Sequence, residues 1–226
     1  MVDASHYQDN PDWTTLAADT DFHGAIIKAT DGTSYSYAVD WFPGQWQAIL
    51  DANPDRYGSS WFRGCYHYLE MKDDPVEQAK YYLSTIEKAG GWSLSPKGDL
   101  LPIVDVEWNS PGSAQQLIEY TSAWSATIKT ELGCETILYG RNAMSESNPP
   151  INSRMGCSYL WNPSYTASMP STEDIGWPDD RVKLWQYTDG SSPRSAWPNK
   201  VPGMTGLCDI NRFLGDSLDD LKSLCF

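Results

Sequence analysis

Eight short apolar runs, separated by longer amphipathic or polar stretches, set what this chain can fold into. They run from Val2 to Ser5, Ala25 to Thr30, Trp61 to Leu69, Leu101 to Trp108, Thr136 to Tyr139, Ser158 to Trp161, Val182 to Tyr187 and Leu207 to Phe213. Short apolar runs alternating with amphipathic stretches predict βα units around a parallel sheet. Helices are expected at about 37–52, ended by Asn53-Pro54, and at about 75–89, with Pro75 at the first position and Gly90-Gly91 as the stop. A third is expected over 113–132, closed by Gly133, with Leu117, Ile118, Trp124 and Ile128 as its core stripe, and a fourth at about 218–224. Eight strands with fewer than eight regular helices, the weak ones all in the second half, predict an α/β fold. The expected form is an irregular (β/α) barrel, TIM-barrel-like, built as a single domain over residues 1–226.

Within that frame the run LPIVDVEW at 101–108 carries the strongest chemical signal. Side chains alternate along a strand, so Ile103, Asp105 and Glu107 share one face, while Pro102, Val104 and Val106 share the other. Two carboxylates therefore point the same way at the carboxyl end of a buried strand, where α/β folds place their ligands and chemistry. Like charges held close raise one of the two pKa values, the division of labour that glycosidases use. Set against this, Asp-x-Glu also arises by chance, and most strand-end acids are only solvated or salt-bridged.

The totals remove several classes. A net charge of −14 argues against nucleic acid, whose binding rests on Lys and Arg neutralising phosphates, and offers no attraction to an anionic membrane. No run approaches the length of a membrane-spanning helix, and MVDASHYQ at the start lacks the basic-then-apolar pattern of a secretory signal. The five cysteines include no Cys-x-x-Cys pair, and the three histidines, His6, His23 and His67, fall at no helical ligand spacing. A metal-dependent hydrolase is disfavoured, and neither metal nor cofactor is expected. The 11 Trp and 13 Tyr against 5 Phe suit a cleft that stacks sugar rings, although many must be core.

The strands between them offer Asp3, Lys28, Tyr66 and Tyr68, Asp105 and Glu107, Trp161, Trp185 and Gln186, and Asp209. Barrel closure makes the first and eighth strands neighbours, so Asp3 and Asp209 are expected close together and near the fourth-strand pair. His6 and His67 are read as satisfied structural groups, Lys28 as a buried ion-pair partner for the acids with substrate contact as the lesser reading, and the cysteines as small buried apolar residues.

At this point the chain resembles the glycoside hydrolase family 25 lysozymes, the Chalaropsis-type muramidases. The likeness rests on VDASHYQ at 2–8, IIKATDG at 26–32, GCYHYL at 64–69, LPIVDVEW at 101–108, LYG at 138–140, LWNPSY at 160–165, LWQYTDG at 184–190 and VPGMTGLCDINRF at 201–213. It implies hydrolysis of the β-1,4 bond between N-acetylmuramic acid and N-acetylglucosamine in bacterial peptidoglycan, by a monomer that needs no cofactor. It implies that Glu107 is the general acid/base and that Asp105 orients the substrate's own 2-acetamido group as that group attacks the anomeric carbon. Asp3 and Asp209 match acids that tune the pair and line the floor of the site. Tyr66, Trp161, Tyr165 and Trp185 match positions that shape the sugar cleft. Asp31 stands where the family usually has Glu, the loop from Asp189 to Lys200 is longer than usual, and no wall-binding repeats follow the barrel. The setting implied is the cell wall, reached by secretion or as a phage lysin.

Two other functions stay open on the sequence. A chitinase also uses a strand-end Asp-x-Glu, although chitinases usually carry another Asp where this chain has Ile103. A non-catalytic wall-binding or virion protein on the same fold would bind glycan without cleaving it.

Overall fold

The computed structural model describes residues 1–34, 36–107, 113–140, 155–191 and 200–226. Trp108, Pro149-Pro150 and most of the loop from Asp189 to Lys200, namely 192–199, lie outside the described residues. Eight strands close into one barrel in sequence order: β1 (Val2–Ala4), β2 (Gly24–Asp31), β3 (Phe62–Tyr68), β4 (Ile103–Val106), β5 (Ile137–Gly140), β6 (Tyr159–Pro163), β7 (Val182–Thr188) and β8 (Asp209–Phe213). The helices are α1 (Trp13–Ala18), α2 (Ser36–Ala52), α3 (Pro75–Lys88), α4 (Ala114–Leu132), α5 (Thr172–Ile175) and α6 (Leu218–Lys222). The short α1 and α5 were not expected from the sequence, because neither is long enough to display a helical apolar period.

Local chemistry explains the long helices. Asp74 caps α3 by accepting from the Val76 and Glu77 amides, with Pro75 in the first turn. Ser113 caps α4 through the Gln116 amide, and Gly133 ends it in the left-handed conformation at φ 68°. The α4 stripe buries Leu117, Thr121, Trp124, Ser125 and Ile128, with Ile118 packed at its margin.

Alternation along the strands produces two cores. Ile26, Phe62, Ile103, Ile137, Trp161 and Leu184 fill the barrel, above Leu100, Leu101, Leu221 and Leu224 at its base. Ile27, Cys65, Val104, Val106, Leu138, Leu160 and Trp185 face the helices instead. The C-terminal segment seals the base: the Leu101 amide donates to the Leu224 carbonyl (2.7 Å) and the Phe226 amide to Asp99 (2.8 Å). All five thiols are unpaired: Cys65, Cys208 and Cys225 are buried, Cys134 and Cys157 half-buried.

One expectation is corrected. The sheet is not wholly parallel, because β8 runs antiparallel to both β7 and β1. Apolar periodicity is blind to strand direction. The physical cause is the connection: no crossover helix returns the chain to the base between Thr188 and Asp209 among the described residues. The strand therefore starts at the mouth and descends. Its first residue, Asp209, pairs with Asp3, whereas in a parallel strand the mouth position would fall to the last residue.

Candidate active site

Two strand ends and one strand start deliver the four acids to one place. Asp3 comes from β1, Asp105 from β4, Glu107 from just beyond β4, and Asp209 from the start of β8. They line a small cavity of about 70 Å³ together with Tyr66, Tyr139, Trp161 and Gln186. Asp3 and Asp105 are buried, while Glu107 is half-buried at the opening.

Asp3 is held by two amides. Asn211 Nδ2 donates to its Oδ2 at 2.7 Å, and Gln186 Nε2 donates to the same oxygen at 3.0 Å. Both amides are themselves fixed. The Trp161 indole donates to Asn211 Oδ1 (2.7 Å), and the Tyr139 and Tyr165 hydroxyls both donate to Gln186 Oε1 (2.9 Å each). Burial lifts Asp3 to about 6, and the amides and a hydrogen bond from Asp209 oppose that rise. Asp209 is the donor of that bond. Burial and the neighbouring Asp3 charge push it up to about 9, so it carries the proton the two acids share near neutrality.

Asp105 is raised well above the ordinary carboxylate range, first by burial and then by the Glu107 charge, with Lys28 opposing. Its Oδ1 is buried and has no hydrogen-bond partner among the described residues. A buried, unpartnered carboxylate oxygen aimed into a cavity is costly, and a ligand N–H relieves that cost.

The sequence candidates divide. Tyr66 lies against Trp161, edge to face at 6.4 Å, and Tyr68 pairs in register with Asp105. Lys28 bonds Asp31 at 2.6 Å, and its ammonium lies 4.6 Å from the centre of the Tyr68 ring, so this pair forms a wall beside Asp105. Tyr165 reaches the site through Gln186. Trp185 does not face the mouth. It neighbours Gln186 on β7, so strand alternation turns it outward, where its indole donates to the Ser164 carbonyl (2.7 Å). Sequence reasoning omitted Tyr139 and Asn211 from the site. Tyr139 stands next to Trp161 at a strand end (4.6 Å), and Asn211 shares a strand face with Asp209, the signals that would have found them. His67, as expected, is structural: it bonds Thr30 Oγ1 (2.8 Å) and Gln78 Oε1 (3.0 Å), and burial lowers it to about 3.

A larger hollow of about 490 Å³ lies outside the barrel against β8 and α6. Its charged groups, Asp21, Arg212 and Asp216, are exposed to solvent, so the small acid-lined cavity is the stronger site despite its volume. No group of three His, Cys, Asp or Glu with metal-holding geometry occurs among the described residues.

A (β/α) barrel with clustered carboxylates and aromatic rings at its carboxyl end defines the class as a glycosidase-type enzyme. The comparisons with known proteins are narrower. The family model for Glycosyl hydrolases family 25 matches residues 2–195, and the chain belongs to that family. It is 27% identical over 208 residues to the N,O-diacetylmuramidase of Chalaropsis sp, covering 88% of this chain and 86% of that one. It is 25% identical over 227 residues to the protein YegX of Escherichia coli strain K12, covering 98% and 71%. The bacterial lysozyme from Streptomyces coelicolor shares its fold with a TM-score of 0.73 at 24% identity, covering 99% and 95%. The chain is a glycoside hydrolase of the lysozyme type.

Proposed function

We propose that this chain, acting as one catalytic domain, hydrolyses the β-1,4 bond between N-acetylmuramic acid and N-acetylglucosamine in peptidoglycan, and so lyses cell walls. The observation that carries the reading is the pairing of Asp105, buried with Oδ1 unpartnered among the described residues, with Glu107 on the same cavity, in a family 25 chain.

Each carboxyl has a role suited to its surroundings. Glu107, half-buried, gives a proton to the leaving oxygen and later activates water. The substrate's 2-acetamido carbonyl attacks the anomeric carbon from the opposite face. Asp105 Oδ1 accepts the amide N–H, the partner this buried oxygen lacks among the described residues, and so holds the acetamido group in line as the ring closes. Water then opens the bicyclic intermediate with net retention. Asp3 and Asp209 set the field at the floor, and Tyr66, Tyr139 and Trp161 shape the sugar's seat.

The test is turbidity loss of a purified Gram-positive wall suspension, with reducing ends assayed in the products. The wild type clears the wall and frees muramic-acid reducing ends. Glu107→Gln loses turnover by about a hundredfold or more. Walls left intact by the wild type sink the reading, and turnover of soluble chitin oligosaccharides alone moves it to chitin. An inverted anomer in the first-formed product, seen by proton NMR, removes the acetamido step and leaves the hydrolase.

A further inference from the structure

Large apolar side chains left in water are few among the described residues: Tyr7, Leu94 and Leu207, exposed by 82%, 65% and 61%. Two of these three, Tyr7 and Leu207, lie on segments at the mouth of the barrel. Tyr7 sits in the 3₁₀ turn His6–Gln8 that follows β1, and Leu207 lies just ahead of β8. Gln8 Nε2 donates to the Leu207 carbonyl at 3.1 Å and ties the two segments together. The turn is firmly built. Ser5 and Gln8 form a capping box, the His6 ring lies 4.1 Å from the Tyr7 ring, and Trp41 Nε1 donates to the Asp9 carbonyl (2.7 Å).

Position and size decide what would cover this patch. Asp3 and Asp209 are opposite each other in register, so chain length alone keeps Tyr7 within about 14 Å of Asp3 and Leu207 within about 7 Å of Asp209. Both segments therefore leave the barrel on the rim that carries the acid-lined cavity. Two side chains present at most a few hundred Å², far short of the roughly 800 Å² per partner of a stable protein interface. One flat ring with an apolar C–H face fits, its hydroxyls remaining in water.

We propose that Tyr7 and Leu207 form an outer platform for a pyranose ring of the glycan, beyond the two sugars that flank the cleaved bond. The platform rests on the glycan reading of the site given above.

The experiment titrates peptide-free glycan fragments of graded length into the Glu107→Gln protein by calorimetry, with and without Tyr7→Ala, Tyr7→Phe or Leu207→Ser. Tyr7→Ala weakens the longer fragments about tenfold and spares the shortest one that binds, the effect of uncovering some 50 Å² of apolar contact. Tyr7→Phe stays within about twofold of the parent, because the ring face is kept. Leu207→Ser follows Tyr7→Ala with a smaller loss. Equal affinity of Tyr7→Ala and parent at every length overturns the platform, as does an equal loss in Tyr7→Phe or a parent that binds no fragment. Wild-type turnover on the same fragments is scored separately. Tyr7-dependent binding without cleavage keeps the platform and removes the hydrolase reading. Cleavage with Tyr7-independent binding does the reverse.

Discussion

Asp3 and Asp209 share a proton, and their neighbours decide where it stays. Asn211 and Gln186 both donate to Asp3 Oδ2, which favours its ionised form. Among the described residues nothing comparable holds Asp209, whose hydrogen bond to Asp3 requires a proton of its own. The side chain that best copies a protonated carboxyl is an amide. Asp209→Asn keeps an N–H for Asp3 and is expected to retain at least about a tenth of the wild-type rate, while Asp209→Ala, with no donor, loses ten- to a hundredfold, about the worth of a hydrogen bond to a charged group. Initial rates on wall suspensions across the pH range check this. The alkaline step that Asp209 brings near pH 9 disappears from the Asp209→Asn profile. An asparagine variant as poor as the alanine one, with the step unchanged, places the proton elsewhere.

At the scale of elements, α4 and β3 depend on one ring. Trp124 is wholly buried, stacks on His67 at 5.8 Å with 12° between planes, and meets Tyr82 at 5.5 Å. Trp124→Ala is expected to cost about 3–5 kcal/mol and to lower Tm by about 10 °C, read by calorimetry. Among the described residues its indole N–H is buried without a partner, so Trp124→Phe, which removes that group and keeps a ring, costs less than half as much. The order reversed would mean the N–H has a partner after all. This layer was legible in the sequence, because Leu117, Trp124 and Ile128 repeat at the helical period. The eight strands were legible for a similar reason, since β-branched and aromatic runs between turn residues have one economical use. The direction of β8 was not, because period two reads the same both ways. Trp185 was misjudged for a local cause: it and Gln186 were both given to the cleft, and adjacent residues on a strand cannot share a face. Asp3, Asp105, Glu107 and Asp209 converge because closure of the barrel, not proximity in the chain, brings their ends together. Asn211 was passed over because it acts through Asp3, and Tyr139 because its place on the cavity follows from its register beside Trp161, which packing sets.

For the whole molecule, burying these acids links stability to pH. Asp209 ordinarily titrates near 3.8 and in the fold near 9, so the folded state keeps a proton that the unfolded chain releases. That contribution is complete below about 3.8 and is lost as pH rises through about 9. Asp209→Asn has no proton to lose. Its Tm relative to the wild type is therefore expected to climb between the acid and alkaline ends of that window, by several degrees, in paired thermal melts at matched ionic strength. A constant difference would show that Asp209 titrates alike in both states. The descending β8 has a different consequence for the molecule's history. Because β7 ends and β8 begins on the same rim, the chain leaves and rejoins the barrel beside Asp209. Lineages of this chain can lengthen, shorten or rewrite the sequence between those two fixed ends without moving a stave of the barrel. Variation in what these enzymes accept is thus cheapest to acquire there.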